Sequence, residues 1–298
     1  IPPDRDGCPA LAAAGKLFEE HMPALSWVGY LSTVGVYGDH GGAWIDETAE
    51  CRPTADRSVR RLKAEEQWLA FGERTGIPVS IMRLPGIYGP GRNALVTVAE
   101  GKARRLIKPG QVFNRVHVDD IGRAALFLAR NRAGGIFNVT DNEPAPPQDV
   151  ITHACALMGM EPPPEQDFET ADLSPMARSF YGENKRVSNG KLKAMGFEPA
   201  YPDYRAALER EQTLQARVNR LKADYLDLRR RSIQYNIYQQ EVDTNRALYD
   251  GLLQRFKEIG VAGGVGVNNV SIIDPADVPQ APSSPNLLMN ILLSLIVG

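Results

Sequence analysis

The stretch LSTVGVYGDHG, residues 31–41, decides how this chain folds. It continues an apolar run that begins at Trp27, and a short run of β-forming residues ended by glycines is typical of a buried strand. The sequence therefore predicts a strand over residues 27–32. Thr33 and Tyr37 follow directly, so we expect the strand to deliver a hydroxyl and a phenol into an active site.

Two further strands and two helices are predicted downstream. Apolar runs indicate strands over Val79–Leu84 and residues 136–139. The stretch RSVRRLKAEEQWLAFGERTG, residues 57–76, has helical spacing and a glycine stop, and HVDDIGRAALFLARN, residues 117–131, has acidic caps before an apolar stripe. Strands that alternate with helices predict an α/β fold around a parallel sheet.

Composition narrows the class of protein. The 298-residue chain is 43% hydrophobic and 23% charged, which is globular usage, and its formal net charge is -2. Proteins that bind nucleic acid usually carry a basic patch, so no nucleic-acid partner is expected. Cys8, Cys51 and Cys155 lie far apart without CxxC spacing, so neither a disulfide framework nor a metal site is predicted.

The character of the chain changes twice after residue 140. Residues 141–210 are proline-rich around one predicted helix, Pro147–Met158, which indicates a small appended lobe; the family resemblance described below implies that it is the substrate lobe. From residue 211 apolar residues alternate at spacings of four and three, the seam of a coiled coil, so residues 211–260 are predicted to be a long helix. Residues 261–298 form a glycine- and proline-rich segment with an apolar tail, residues 287–298, shorter than the roughly 20 residues that span a bilayer.

Four ordered motifs within residues 31–144 carry a family resemblance: LSTVGVYGDHGG, RLPGIYGPGR, RVHVDDIGRAALFLA and FNVTDNEP. They resemble the extended and atypical short-chain dehydrogenase/reductases, the NAD-dependent epimerase/dehydratase superfamily, over residues 1 to about 210. The resemblance implies an incomplete Rossmann-like parallel sheet over residues 1–140. It also implies that Thr33 hydrogen-bonds the reacting oxygen of a sugar-like or small carbonyl substrate, and Tyr37 is taken as the second candidate catalytic residue.

The sequence departs from this family at its YxxxK motif, in which a Tyr with a lowered pKa acts as general acid and base. Aligning Glu66 and Gln67 with the family's helix puts Ser58 at the Tyr position and Leu62 at the Lys position. Neither residue can transfer the proton, and no other register restores the pair. Three arginines on the same helix either hold an anionic group or form a solvated face: Arg57, Arg60 and Arg61.

The nucleotide-binding element is also missing from the expected place. The family holds NAD or NADP through a glycine-rich turn after its first strand, and only some 30 residues precede the first motif. We therefore expect an N-terminally truncated core that does not itself bind the cofactor. The glycine cluster GVAGGVGVNN, residues 260–269, follows a helix and not a strand, so a turn is the better interpretation.

The resemblance assigns further site residues. Arg83 and Pro85 are candidate cofactor contacts, and Tyr88, Arg115 and His117 are candidate substrate contacts. The alternative is a structural role: these residues pack at the strand end, and His117 is a core histidine whose hydrogen bonds are satisfied within the protein. Asp119 is interpreted as a helix cap.

A second resemblance covers the end of the chain, from about residue 211 to residue 298. The run LRRRSIQYNIYQQEVDTNRALYDGLLQRFKEIG and the proline-rich PADVPQAPSSPN resemble the polysaccharide co-polymerase proteins of exopolysaccharide export. This resemblance implies an inner-membrane and periplasmic location, homo-oligomers formed through the long helix, and membrane contact through residues 287–298.

Two hypotheses follow for function. The first is a fragment of an NAD(P)-dependent short-chain dehydrogenase or epimerase, cytoplasmic and inactive as this chain. The alternative is a segment for exopolysaccharide chain-length control and export. Because the two families work on opposite sides of a membrane, we interpret the chain as two fused fragments, joined near residues 204–212. A binding protein that keeps the fold without chemistry is a third possibility.

Overall fold

A computed structural model describes residues 2–262 and 287–297. The chain divides into two compact units, residues 1–222 and residues 223–298. The two predicted segments at residues 263–286, which include most of the glycine cluster and all of the proline-rich stretch, lie outside the described residues.

Nine short strands lie in the part of the first unit that the structure describes. In chain order they are β1 Val28–Thr33, β2 Trp44–Ile45, β3 Val79–Leu84, β4 Gly86–Tyr88, β5 Arg105–Ile107, β6 Arg115–His117, β7 Gly135–Asn138, β8 Glu165–Asp167 and β9 Arg186–Val187. The predicted strand Val79–Leu84 is confirmed, whereas the other two predicted strands are each shifted by one residue.

The described helices range from 5 to 59 residues in length. In chain order they are α1 Pro9–Glu20, α2 Asp56–Thr75, α3 Ala94–Ala99, α4 Val118–Arg130, α5 Pro147–Met158, α6 Pro175–Phe180, α7 Gly190–Ala194, α8 Tyr204–Ala262 and α9 Leu287–Val297. The predicted helix Pro147–Met158 is confirmed, and the predicted glycine stop of α2 is Gly76 in the left-handed conformation.

A three-stranded parallel sheet in the order β1-β3-β7 is the centre of the first unit. Alternate residues of β3 face opposite sides of this sheet, as strand geometry requires. Val79 and Ile81 pack with α2 and α1, whereas Met82 and Leu84 pack with α4 and α7. The sheet is therefore covered on both faces, which explains why β3 is buried along its whole length.

Three short pairs of parallel strands lie outside the central sheet. β2 pairs with β9, β4 with β6 and β5 with β8, all in parallel register. Helix α5 packs with α3 and with the first turns of α8 through Tyr204 and Leu208. The first turns of α8 therefore belong to the core of the first unit.

Helix α8 continues without interruption to Ala262, which confirms the long helix predicted over residues 211–260. From Ala223 onward it belongs to the second unit. Its apolar side chains there are exposed, including Leu228, Leu248, Leu252 and Phe256. Helix α9 has 11 residues, and none of the helices in the described ranges is both long and apolar enough to cross a bilayer.

Candidate functional site

The carboxyl ends of the sheet strands bring the first group of predicted residues together. Thr33 is the register partner of Leu84, and Arg83 is the partner of Asn138. Parallel strands end at one edge of the sheet, where ligands of α/β proteins bind. Thr33, Pro85 and Asn138 therefore lie at a common edge.

Thr33 is half-buried and its side chain shapes the turn that follows. Its Oγ1 accepts a hydrogen bond from the Gly35 amide at 3.1 Å and so caps a single 3₁₀ turn, Val34–Tyr37. A Cβ placed on Gly35 would lie 2.9 Å from Ser58 Oγ and 3.4 Å from Thr33 Oγ1. The hydroxyls of Thr33 and Ser58 therefore converge on Gly35, which leaves no room for a larger residue there.

Tyr37 is fully buried, with 0% of its surface exposed. Its hydroxyl donates to Asn138 Oδ1 at 2.8 Å, and the Arg83 guanidinium lies 4.6 Å from its ring centre. Burial raises the pKa of the phenol above its ordinary value, and the charge of Arg83 only partly opposes this. Tyr37 thus connects the turn after β1 to the end of β7.

Arg83 is paired inside the protein. It is 2% exposed, and its Nη2 and Nε donate to the carboxylate of Glu65 on α2, with Nη2 to Oε2 at 2.7 Å. The hydroxyl of Ser32 donates to the other oxygen of the same carboxylate. Burial alone would lower the pKa of Arg83, but the hydrogen bond and charge of Glu65 raise it. The pair fixes α2 against the strand ends.

The loop after the turn is held by the segment before β9. Gly38 has a φ of +70° and its Cβ position lies 1.9 Å from the Arg52 carbonyl oxygen, so only glycine fits. The Lys185 ammonium, itself buried, donates to the Gly38 carbonyl at 2.6 Å. Asp39 Oδ1 accepts from the Asn184 amide at 2.8 Å, and this bond lowers the pKa of Asp39.

The second group of predicted residues lies between β4, β6 and the chain before α8. The rings of Tyr88 and His117 meet edge to face at 5.5 Å, and His117 stacks on Tyr201 at 3.6 Å. His117 Nδ1 accepts from the Asp119 amide at 3.2 Å, so the imidazole caps α4, and burial lowers its pKa. Asp119, predicted as the cap, instead lies in the first turn of α4.

Arg115 is placed beside a buried carboxyl group. Its Nη1 donates to the carbonyls of Phe113 and Ala145 at 3.0 and 3.1 Å, and burial lowers its pKa. Asp141, 2% exposed, has its pKa raised well above the usual range by burial, which the charge of Arg115 opposes. Burial likewise raises the pKa of Tyr88, and Asp141 adds to this effect.

Sequence reasoning missed the polar residues that hold these groups in place. Glu65, Asn138, Lys185 and Asp141 are all buried. Only Glu65 carried a signal, because it lies three residues before Trp68 on the inner face of α2, where a charge needs a buried partner. The other three contact residues far away in sequence, which no local pattern reveals.

Helix α2 has neither the Tyr nor the Lys of the YxxxK motif at the two aligned positions, which are Ser58 and Leu62. Ser58 is buried and Leu62 half-buried. The three arginines have separate contacts: Arg57 lies 4.9 Å from the Phe180 ring centre, Arg60 is 3.9 Å from Asp56, and Arg61 donates to the Leu31 carbonyl.

In the family, the turn whose amides hold a pyrophosphate follows a strand of the central sheet. In the part of the chain that the structure describes, no strand of the central sheet leads through a glycine-rich turn into an α-helix, and the turn Gly89–Gly91 joins the three-residue strand β4, outside that sheet, to the six-residue helix α3. Arg83, a predicted cofactor contact, is paired with Glu65. The described residues also contain no group of three His, Cys, Asp or Glu side chains that could hold a metal ion.

Comparison with known proteins gives two families for the two parts of the chain. Residues 22–140 match the NAD dependent epimerase/dehydratase family, and residues 233–298 match the G-rich domain on putative tyrosine kinase. A conserved protein of unknown function from Silicibacter pomeroyi is 49% identical, covering 72% of this chain and 75% of its own, with a TM-score of 0.66.

Two further relatives extend this picture. The tyrosine-protein kinase Etk of Escherichia coli is 29% identical over 45% of this chain, which spans only 19% of the length of that kinase. The dTDP-glucose 4,6-dehydratase of Bacillus anthracis in complex with NAD shares the fold at 21% identity, covering 63% of this chain and 61% of its own, with a TM-score of 0.52. The N-terminal part of the chain is therefore similar to the NAD dependent epimerase/dehydratase family, and its C-terminal end is similar to the G-rich domain on putative tyrosine kinase.

Proposed function

We propose that residues 1–210 recognise a sugar-like or small carbonyl substrate in the manner of the epimerase/dehydratase family, without turnover by this chain. One observation carries the proposal. The Thr33 hydroxyl stands half-buried at the end of β1 with the Ser58 hydroxyl beside it, at the place where the family's Tyr and Lys would otherwise transfer the proton.

The geometry suits Thr33 for recognition. Its oxygen already accepts the Gly35 amide hydrogen, so its own hydrogen is free to be donated to a substrate oxygen. Tyr88, Arg115 and His117 would then form the second wall of the substrate site. The side chains of Arg115 and His117 form hydrogen bonds with backbone groups. In this proposal they hold the wall in place more than they supply charge for substrate binding.

Proton transfer is the missing part of the chemistry. A general acid needs a pKa near the working pH and must reach the substrate. Tyr37 meets neither condition, since burial raises its pKa and its hydroxyl is bonded to Asn138. In this proposal Tyr37 positions the turn that carries Thr33. We expect NAD or NADP to be a cofactor of the relatives and not of this chain, because no described strand of the central sheet leads through a glycine-rich turn into an α-helix.

Calorimetric titration of the full chain with dTDP-glucose tests the recognition. We expect saturable binding that weakens about tenfold or more in Thr33→Val, because a buried hydrogen bond to ligand is lost. Thr213→Val is the matched control, since Thr213 is exposed on α8 and bonds only the Glu209 carbonyl of its own helix. Equal affinities of the parent and Thr33→Val, or no binding by the parent, would contradict the proposal.

A second candidate function belongs to the C-terminal unit. We infer that residues 223–298 act as an oligomerising, inner-membrane segment in exopolysaccharide export, with its helix in the periplasm. The exposed apolar side chains along α8 favour this, because a helix with an apolar seam needs a partner. Analytical ultracentrifugation of the full chain in mild detergent should show a self-associating species, and a strictly monomeric chain would count against it.

A further inference from the structure

The central sheet has two outer edges, and both carry backbone groups that point away from β3. In β1 the amide of Val28 bonds the Pro78 carbonyl, so the even-numbered residues face β3 and the odd-numbered ones face outward. Directly after β7 the amide of Val139 bonds the Arg83 carbonyl, so Ile136 and Asn138 of β7 face outward. Among the described residues, neither edge has a further strand.

Long charged side chains form hydrogen bonds with the outward-facing backbone groups of β7. The Lys191 ammonium donates to the Ile136 carbonyl at 2.7 Å, and the Asn138 amide donates to Glu47 Oε1 at 2.8 Å. The two groups lie two residues apart, which is the spacing at which a neighbouring strand would bond them. Lys191 and Glu47 thus take the place of a strand's donor and acceptor.

Arg61 likewise forms a hydrogen bond with an outward-facing backbone group of β1. Its Nη1 donates to the outward carbonyl of Leu31 at 3.1 Å, and its guanidinium lies 5.8 Å from the Tyr30 ring centre. Leu31 is 47% exposed, so without Arg61 this edge would present an open carbonyl beside an exposed apolar side chain. Such an edge is a template for pairing with another chain.

We propose that Arg61 on one edge, and Lys191 with Glu47 on the other, are edge guards that prevent the sheet of one molecule from pairing with that of a second copy. An open groove of about 650 Å³ lies at the β7 edge, lined by Ile136, Leu69 and both guards of that edge. A strand could enter this groove only by displacing the two guards. The excluded partner is therefore a β-strand of a second copy of this chain.

The test compares variants that remove the hydrogen-bonding group but keep the aliphatic volume. These are the double variant Glu47→Met with Lys191→Met, and Arg61→Met. The controls are Lys193→Met on α7 and Arg60→Met on α2, neither of which bonds an outward strand group in the described structure. Light scattering of the full chain in one detergent gives the mass, and amide exchange at Asn138 reports whether the edge has opened.

We expect both guard variants to form species at least twice the parent's mass, with controls unchanged. The Asn138 amide should exchange about fivefold faster or more in the double variant, because one hydrogen bond of about 1 kcal/mol is lost. Faster exchange without any rise in mass would overturn the proposal. So would a parent chain whose Asn138 amide exchanges as fast as those of open loops.

If circular dichroism shows that the double variant does not fold, the masses of the single variants Lys191→Met and Arg61→Met provide the test. Lys191→Met leaves Glu47 on the Asn138 amide and frees only the Ile136 carbonyl. A rise in mass in either folded variant supports the guards, and an unchanged mass in both refutes them.

Discussion

The ion pair of Arg83 and Glu65 is the most heavily buried charge contact in the described part of the first unit. Their side chains are 3% and 1% exposed, and two Arg83 nitrogens bond the carboxylate. A buried pair of this kind contributes little net stability, because removing both charges from water is costly. We expect the pair to give α2 a specific register against the strand ends, because another register would leave a charge buried without its partner.

Replacing Arg83 by Met should lower the free energy of unfolding by about 3–5 kcal/mol, because Glu65 then remains buried without its partner. Urea unfolding of the full chain measures this. Arg60→Met is the matched control: Arg60 lies on the same helix and only approaches Asp56 at 3.9 Å, so its loss should cost less than about 0.5 kcal/mol. A loss for Arg83→Met no larger than the control's would show that the pair does not hold α2.

The carboxyl group of Asp39 makes the folding stability of the chain depend on pH. The Asn184 amide bond, with that of Gly41, lowers its folded pKa, so its contribution is present above the unfolded value of about 4 and is lost as pH falls through the folded pKa. Asp39→Asn should therefore unfold at a lower temperature than the parent above about pH 4, and the two should converge in stronger acid. Thermal melts across this range measure the difference. A gap that persists or widens in acid would contradict this.

At the scale of elements, the sequence patterns that worked were local. The glycine stop of α2, the proline-started helix Pro147–Met158 and the strand Val79–Leu84 all depend on residues within a few positions of each other. The pairing of β2 with β9 was not predictable, because it joins Trp44 to Arg186 across the lobe. Within α2, Glu65 is buried against Arg83, whereas its neighbour Glu66 is exposed.

Helix α8 gives the element-scale test of the C-terminal unit. Leu252→Glu places a charge in the apolar stripe of Leu248, Phe256 and Ile259, so the associated species should shift toward monomer in sedimentation. Gln254→Glu is the control, because residue 254 lies on the opposite side of the helix. Equal sedimentation of the two variants would mean that the stripe is not the interface.

At the scale of the whole molecule, one chain joins segments of two families. Their motifs were recognisable from sequence because each family keeps its own spacing of glycine, proline and apolar residues. The candidate site was only partly predictable. The edge that carries Thr33 follows from parallel strands, but the burial of Tyr37 and Arg83 depends on Asn138 and Glu65, which are distant in sequence from at least one partner.

We propose that this chain keeps the recognition part of the family's site without a place for the dinucleotide. The decisive measurement titrates the full chain into NADH and NADPH, with the fluorescence of the reduced nicotinamide as readout. We expect no saturable change with either nucleotide. Saturable binding in the micromolar range would show that the chain does hold the dinucleotide, and the proposal would be wrong.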